Sequence, residues 1–166
     1  MSNHVLITAK GTNSTLKNKN LIEIAGKASF LHGVDAAKKS GVIDIIFVSS
    51  DSDQILEIAE NNGCVPLKRP NELCLEDTNH GDVILFEYQR IKENHKVENL
   101  TILLGNTAQI FPEDIKKTYE TLFKDENATS VMTVWEAQDD HPLRALVLNS
   151  DGYLGSYLEG EVVDTN

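Results

Sequence analysis

Apolar residues fall along this chain in short continuous runs, separated by longer stretches of helical periodicity and by polar, glycine-marked punctuation. The first run, residues 5–9 (Val-Leu-Ile-Thr-Ala), is contiguous rather than alternating, the pattern of a strand covered on both faces. Residues 10–20 carry neither period and read as a loop. Phe30 or Leu31, Val34 and Ala37 recur at helical spacing, predicting a helix over 28–40 that Gly41 stops. Residues 43–48 (Ile-Asp-Ile-Ile-Phe-Val) predict a second strand, rich in β-branched residues. Ser49, Ser50, Asp51 and Ser52 then offer N-caps for a helix over 53–62, closed by Gly63. A brief extended piece, Val65-Pro66-Leu67, leads to Arg69-Pro70, and residues 78–94 read as a helix with Ile84, Tyr88 and Ile91 on one stripe.

The third buried strand is predicted at 100–104 (Leu-Thr-Ile-Leu-Leu). Pro112 suits the first turn of the next helix, with Ile115, Tyr119, Leu122 and Phe123 on its inner face. Ser130 to Trp135 reads as another strand, and 144–158 as shorter strands around Asn149-Ser150-Asp151-Gly152. Strand and helix alternate as far as residue 135. That order predicts an α/β fold of three layers, a mostly parallel sheet with helices on both faces. The 166 residues, free of repeats and linkers, are expected to form a single domain, 1–166. In such sheets ligands bind beyond the carboxyl ends of the strands, so loops 10–20, Ser49–Asp53 and Gly105–Phe111 are expected to converge on one edge.

Charge sharpens this picture. The net charge is -11, which argues against nucleic acid or an anionic membrane as partner. Residues 1–40 nevertheless hold six lysines against Glu23 and Asp35, a balance of +4 that leaves -15 for the other 126 residues. A local cationic island in an acidic chain suits a small anionic ligand, though Lys38 and Lys39 read as complements to a helix dipole. No apolar run approaches the roughly 20 residues of a membrane helix, and Met1-Ser2-Asn3-His4 lacks a basic signal-peptide region, so a cytoplasmic address is expected. Cys64 and Cys74 form no C-x-x-C motif and are expected to be reduced, partly buried thiols.

The loop after the first strand, Lys10 to Asn20, contains neither G-x-G-x-x-G nor the P-loop spelling. It has one glycine, several small hydroxyl and amide side chains, and lysines at 10, 17 and 19. Such a loop either cradles phosphate oxygens or is plain solvated surface; composition leaves both open.

Ala9-Lys10-Gly11-Thr12-Asn13-Ser14-Thr15-Leu16-Lys17-Asn18-Lys19-Asn20 resembles the opening motif of the CMP-sialic acid synthetases, the acylneuraminate cytidylyltransferases, roughly A-R-x-x-S-K-G-(L/I)-P-x-K-N. Further segments match in order. Val48-Ser49-Ser50-Asp51 resembles V-S-T-D, and Arg69-Pro70 with Leu73, Asp77 and Thr78 resembles R-P-x-x-L-x-x-D-T. Leu103-Leu104-Gly105-Asn106-Thr107-Ala108 stands where the family has L-L-Q-P-T-S, and His141-Pro142-Leu143 matches H-P-L. The resemblance implies a nucleotidyltransferase architecture and transfer of CMP from CTP to an acidic sugar of sialic-acid type, with release of pyrophosphate. It implies Mg²⁺, without identifying its ligands, and a homodimer. Residue by residue, it implies a catalytic Lys19 on the CTP phosphates. Ala9, Lys10, Gly11, Asn13, Ser14, Asn20 and Arg69 would join Lys19 around the nucleotide, with Thr107 and His141 beside the sugar.

The departures fall within the motifs. Lys10 replaces an arginine and loses its bidentate fork, Ser14 replaces a lysine, and Thr15 and Lys17 replace glycine and proline. Gly105 stands for glutamine and Asn106 for proline. Family members run longer, so their C-terminal part is expected to be missing here. A catalytically degenerate nucleotide- or sugar-binding module, or a partner subunit, is therefore the alternative. Asp51-Ser52-Asp53 also has the D-x-D spelling of glycosyltransferases, though Asp51 and Asp53 equally suit helix caps. His80 and His95 lack metal-ligand spacing and read as surface residues.

Overall fold

The structure, a computed structural model, describes residues 1–11, 16–75, 77–134 and 146–156. It divides into two compact units, Met1–Val131 and Met132–Asn166. The first unit is built on β1 (Asn3–Thr8), whose Val5, Leu6 and Ile7 are all completely buried. Contiguous apolar residues bury on both faces only in the middle of a covered sheet. Accordingly β1 pairs in parallel with β4 (Ile45–Ser50) on one side and β6 (Asn99–Leu104) on the other. β5 (Val65–Lys68) adds a fourth parallel strand, giving the order β5-β4-β1-β6.

Alternate residues of β1 enter two cores. Val5 and Ile7 pack with Phe30, Val34 and Ala37 of α1 (Phe30–Ser40), Ile55 and Ala59 of α2 (Asp53–Asn61), and Ile115 and Tyr119 of α4 (Pro112–Leu122). Leu6 joins Phe47, Leu67 and Ile91 of α3 (His80–Asn94) on the opposite face. The three layers are therefore as the alternation of elements predicts. The helix ends follow local chemistry. Gly41 takes a left-handed φ of 71° after α1, Ser52 Oγ accepts from the Ile55 amide at 3.4 Å, and Asn79 Oδ1 accepts from Gly81 at 2.7 Å.

Several expectations need correction. The buried stripe of α3 is Val83, Glu87 and Ile91, with Ile84 and Tyr88 only half-buried, because a polar residue occupies the central inward position. Phe123 lies outside the core of α4, 48% exposed, with its ring tilted against Tyr119. β6 is half-buried rather than enclosed, since it is the outermost described strand. Residues 130–134 form no strand, having no ladder partner among the described residues, and Trp135 lies outside those residues. A small hairpin not foreseen in the sequence, β2 (Glu23–Ile24) and β3 (Lys27–Ala28), precedes α1. In the second unit, β7 (Leu146–Leu148) and β8 (Leu154–Ser156) form the expected antiparallel hairpin, turned by Asn149 and by Gly152 at φ 83°.

Ile7 lies in the central strand and is completely buried. Ile7→Ala is expected to lower unfolding free energy by about 2–5 kcal/mol in a urea titration, the cost of lost transfer plus an incompletely collapsed cavity.

Candidate functional site

All four strands of the sheet are parallel, so Thr8, Ser50, Lys68 and Leu104 end at one edge. Just beyond it opens a cleft of about 660 Å³. The loop after β1 begins with Ala9, fully buried, whose amide donates to the Ser49 carbonyl at 2.9 Å. Gly11 N–H donates to Asp51 Oδ1 at 2.6 Å, and a Cβ on Gly11 would stand 2.6 Å from Ser52 Cβ. Only glycine allows that approach. At the far end of the loop, Asn18 adopts a left-handed φ of 54° and a single 3-10 turn, Lys19–Leu21, follows. Asn20, 2% exposed, donates from Nδ2 to the Lys10 carbonyl at 2.7 Å, which closes the loop on itself. The Lys19 carbonyl accepts from Ser29 Oγ at 2.9 Å, leaving the Lys19 side chain to line the cleft.

The second wall follows β6. The Gly105 amide donates to the Thr8 carbonyl at 3.0 Å, and a Cβ there would meet Ala9 Cβ at 2.8 Å and Asn20 Oδ1 at 3.0 Å. Gly105→Ala is expected to cost about 1–3 kcal/mol in chemical unfolding, since Ala9 is held by its amide on Ser49 and the Asn20 side chain by the Lys10 carbonyl.

The third wall is the segment after β5. Arg69, 5% exposed, lies along the cleft, with Nε donating to Ser49 Oγ and Nη2 to the Ser49 carbonyl, both at 3.2 Å. Lys10 reaches across to the Leu75 carbonyl at 2.9 Å. Cys74 also lines the cleft; Cys64 is buried elsewhere, its thiol pushed up to about 11 by burial. Lys10, Lys19 and Arg69 thus face one space, and no carboxylate lines it among the described residues.

The sequence-based candidates divide accordingly. Lys10, Lys19, Asn20 and Arg69 line the cleft, while Ala9 and Gly11 shape the loop behind it. Asn13, Ser14 and His141 lie outside the described residues. Asn106 lines the cleft; Thr107, next to it, is exposed and does not. Ser49 and Ser50 are completely buried and support the walls from behind. Asp53 pairs with Lys68 at 2.6 Å. Among the described residues no cluster of His, Cys, Asp or Glu could hold a metal ion.

Two residues gain a place that sequence reading did not give them. His80 opens α3 and lines the cleft, its Nε2 2.9 Å from Thr8 Oγ1. Burial and the Arg69 charge hold its imidazole below the ordinary value. Glu87, completely buried one layer beneath Arg69, accepts from Ser49 Oγ at 2.7 Å. The only available signal for Glu87 was its helical spacing from Val83 and Ile91, which hydrophobic periodicity discounts.

Burial raises the Glu87 carboxyl above its ordinary 4.5, against the Ser49 hydrogen bond and the charges of Arg90 and Arg69. A raised folded pKa means that the folded state holds the proton more tightly. Stability from this group is complete below the unfolded value and declines as pH rises through the raised one. Glu87→Gln is expected to remove that decline, so its thermal midpoint should gain on the wild type as pH rises above 4.5.

The cytidylyltransferase family model matches residues 4–152. The pseudaminic acid cytidylyltransferase of Campylobacter jejuni subsp. jejuni serotype O:2 is 26% identical over 129 residues, covering 76% of this chain and 56% of that protein. The N-acylneuraminate cytidylyltransferase of Streptococcus agalactiae serotype V is 27% identical over 151 residues, covering 89% of this chain and 35% of that protein. This chain therefore spans about half or less of these relatives' length. Among solved structures, a CMP:2-keto-3-deoxy-manno-octonic acid synthetase complexed with CTP superposes with a TM-score of 0.64 at 20% identity. That alignment covers 76% of this chain and 49% of that one, and it confirms the nucleotidyltransferase fold.

Proposed function

The chain belongs to the cytidylyltransferase family, and from that membership we propose that it takes CTP into the basic cleft and passes CMP to an acidic sugar. The observation that carries this reading is the lining itself: among the described residues it holds three cations and no carboxylate, in a chain of net charge -11. A triphosphate suits such a cleft, because charge-assisted hydrogen bonds from lysine and arginine are roughly twice as strong as neutral ones.

In this reading a sugar hydroxyl attacks the α-phosphorus of CTP, the bond to the β-phosphate oxygen breaks, and pyrophosphate leaves. Lys19 neutralises charge developing on the phosphates, Lys10 and Arg69 hold the nucleotide, and Asn20 keeps the loop closed. Ala9 and Gly11 pack the start of the loop against Ser49, Asp51 and Ser52, and by the family resemblance Asn13 and Ser14 belong to the nucleotide loop. By the family resemblance alone, Thr107 and His141 are assigned to the sugar. Pseudaminic, sialic and 3-deoxy-manno-octulosonic acids, named for the relatives' enzymes, are the acceptor class.

Mg²⁺ belongs to the proposal through the family alone. Asp51 is engaged by the Gly11 amide and Asp53 by Lys68, so the described residues do not by themselves fit a resident ion, and no step is derived through one. A single domain, a homodimer and a cytoplasmic setting complete the reading. Among the described residues, no helix is long and apolar enough to cross a membrane.

Calorimetric titration is expected to show CTP binding in preference to ATP, and Lys19→Ala to weaken it by about 1.5–3 kcal/mol, roughly ten- to 150-fold in Kd. Undiminished CTP binding by the variant would remove Lys19 from the site. Pyrophosphate release with CTP and each acidic sugar then identifies the acceptor, and binding without turnover on any of them would refute transfer by this chain.

A further inference from the structure

Arg69 reaches the cleft through a relay that begins on the far side of the sheet edge. Ser49 Oγ has one hydrogen to donate, and it goes to Glu87 Oε1 at 2.7 Å. The lone pairs of the same oxygen are thereby turned toward Arg69 Nε at 3.2 Å, while Nη2 takes the Ser49 carbonyl at 3.2 Å. Two bonds from one side of a planar guanidinium fix its plane, and no described residue accepts from Nη1. Ser49 and Glu87 are both completely buried, so neither can exchange its partner for water. A second tie from α3 holds the preceding residue. Arg90, 3.7 Å from Glu87 Oε2, donates from Nη1 to the Lys68 carbonyl at 3.0 Å.

We propose that Glu87 is a positioning residue for nucleotide binding: through Ser49 it orients the Arg69 guanidinium toward the cleft without touching the ligand. This rests on the cleft's being the CTP site. A buried carboxylate that only filled space would cost stability without return, since burying an ionisable group unpaired is expensive. The directed hydrogen bond to Ser49 gives it a task that an apolar residue of the same shape lacks.

The test is CTP calorimetry on Ser49→Ala, Glu87→Leu and Glu87→Gln, each alone and combined with Arg69→Ala. Ser49→Ala and Glu87→Leu are expected to weaken CTP binding five- to tenfold. Glu87→Gln, whose amide oxygen accepts the same hydrogen, is expected to restore affinity to within twofold of wild type. In the Arg69→Ala background none of the three is expected to change affinity further. Losses of equal size with and without Arg69, or wild-type affinity in Ser49→Ala, would overturn the inference. The Arg69 Nε–H signal in ¹H–¹⁵N spectra gives a readout that needs no nucleotide. It is expected to exchange slowly in the wild type and Glu87→Gln, and rapidly in Ser49→Ala and Glu87→Leu. If the wild type failed to bind CTP, the nucleotide reading would fall, and unaltered exchange across the variants would overturn the positioning role independently.

Discussion

The parallel ladder between β1 and β6 runs out at Thr8 and Leu104, and the next hydrogen bond, from the Gly105 amide to the Thr8 carbonyl, ties the first wall of the cleft to the second. The contact leaves no room for a side chain. A Cβ at 105 would fall within 3.1 Å of Ala9 Cβ, Asn20 Oδ1 and the Thr8 carbonyl together. Ala9 is in turn held by Ser49, and Asn20 by the Lys10 carbonyl, so a shift at this junction would pass to both ends of the loop after β1. The rigidity of the sheet is what makes such close approach affordable. β1 is buried on both faces, and close-packed interiors transmit strain rather than absorb it.

Much of the fold was legible in the sequence because the driving force was legible. Contiguous apolar runs at 5–9, 43–48 and 100–104 mark strands flanked by helices, and Gly41 and Ser52 mark helix ends by stereochemistry that acts locally. What the sequence hid depends on partners far along the chain. Residues 130–134 have strand-like composition, yet a strand exists only where a neighbour accepts its hydrogen bonds. Glu87 escaped notice because it is polar on an apolar stripe, and its partner Ser49 lies 38 residues away. The third wall of the cleft, from Arg69 to Leu75, was visible only through the family's R-P-x-x-L pattern. Nothing in its own periodicity marks it as a site.

The departures from the family's motifs acquire a local meaning in this geometry. Gly105, where the family has glutamine, sits at a point on the second wall where even an alanine methyl would collide. Lys10, where the family has arginine, spans the cleft as a point charge and donates to the Leu75 carbonyl rather than presenting a fork. The guanidinium in this cleft belongs instead to Arg69, and its Nε/Nη2 edge is taken by Ser49 from behind.

The division of labour between backbone and side chains follows from the same contacts. Phosphate sites built on glycine-rich loops commonly present amide N–H groups to the anion. Here the glycines after β1 and β6 serve packing instead, because Gly11 N–H is engaged by Asp51 and Gly105 N–H by the Thr8 carbonyl. In the proposed reading, anion recognition among the described residues therefore falls on the side-chain cations at 10, 19 and 69, which line the cleft. Side-chain charges act over a longer range than amide dipoles but need holding in place. The loop closure by Asn20 and the anchoring of Arg69 supply that restraint. Among the described residues the lining holds three cations and no carboxylate, and an acidic residue placed on these walls would offset one of the three.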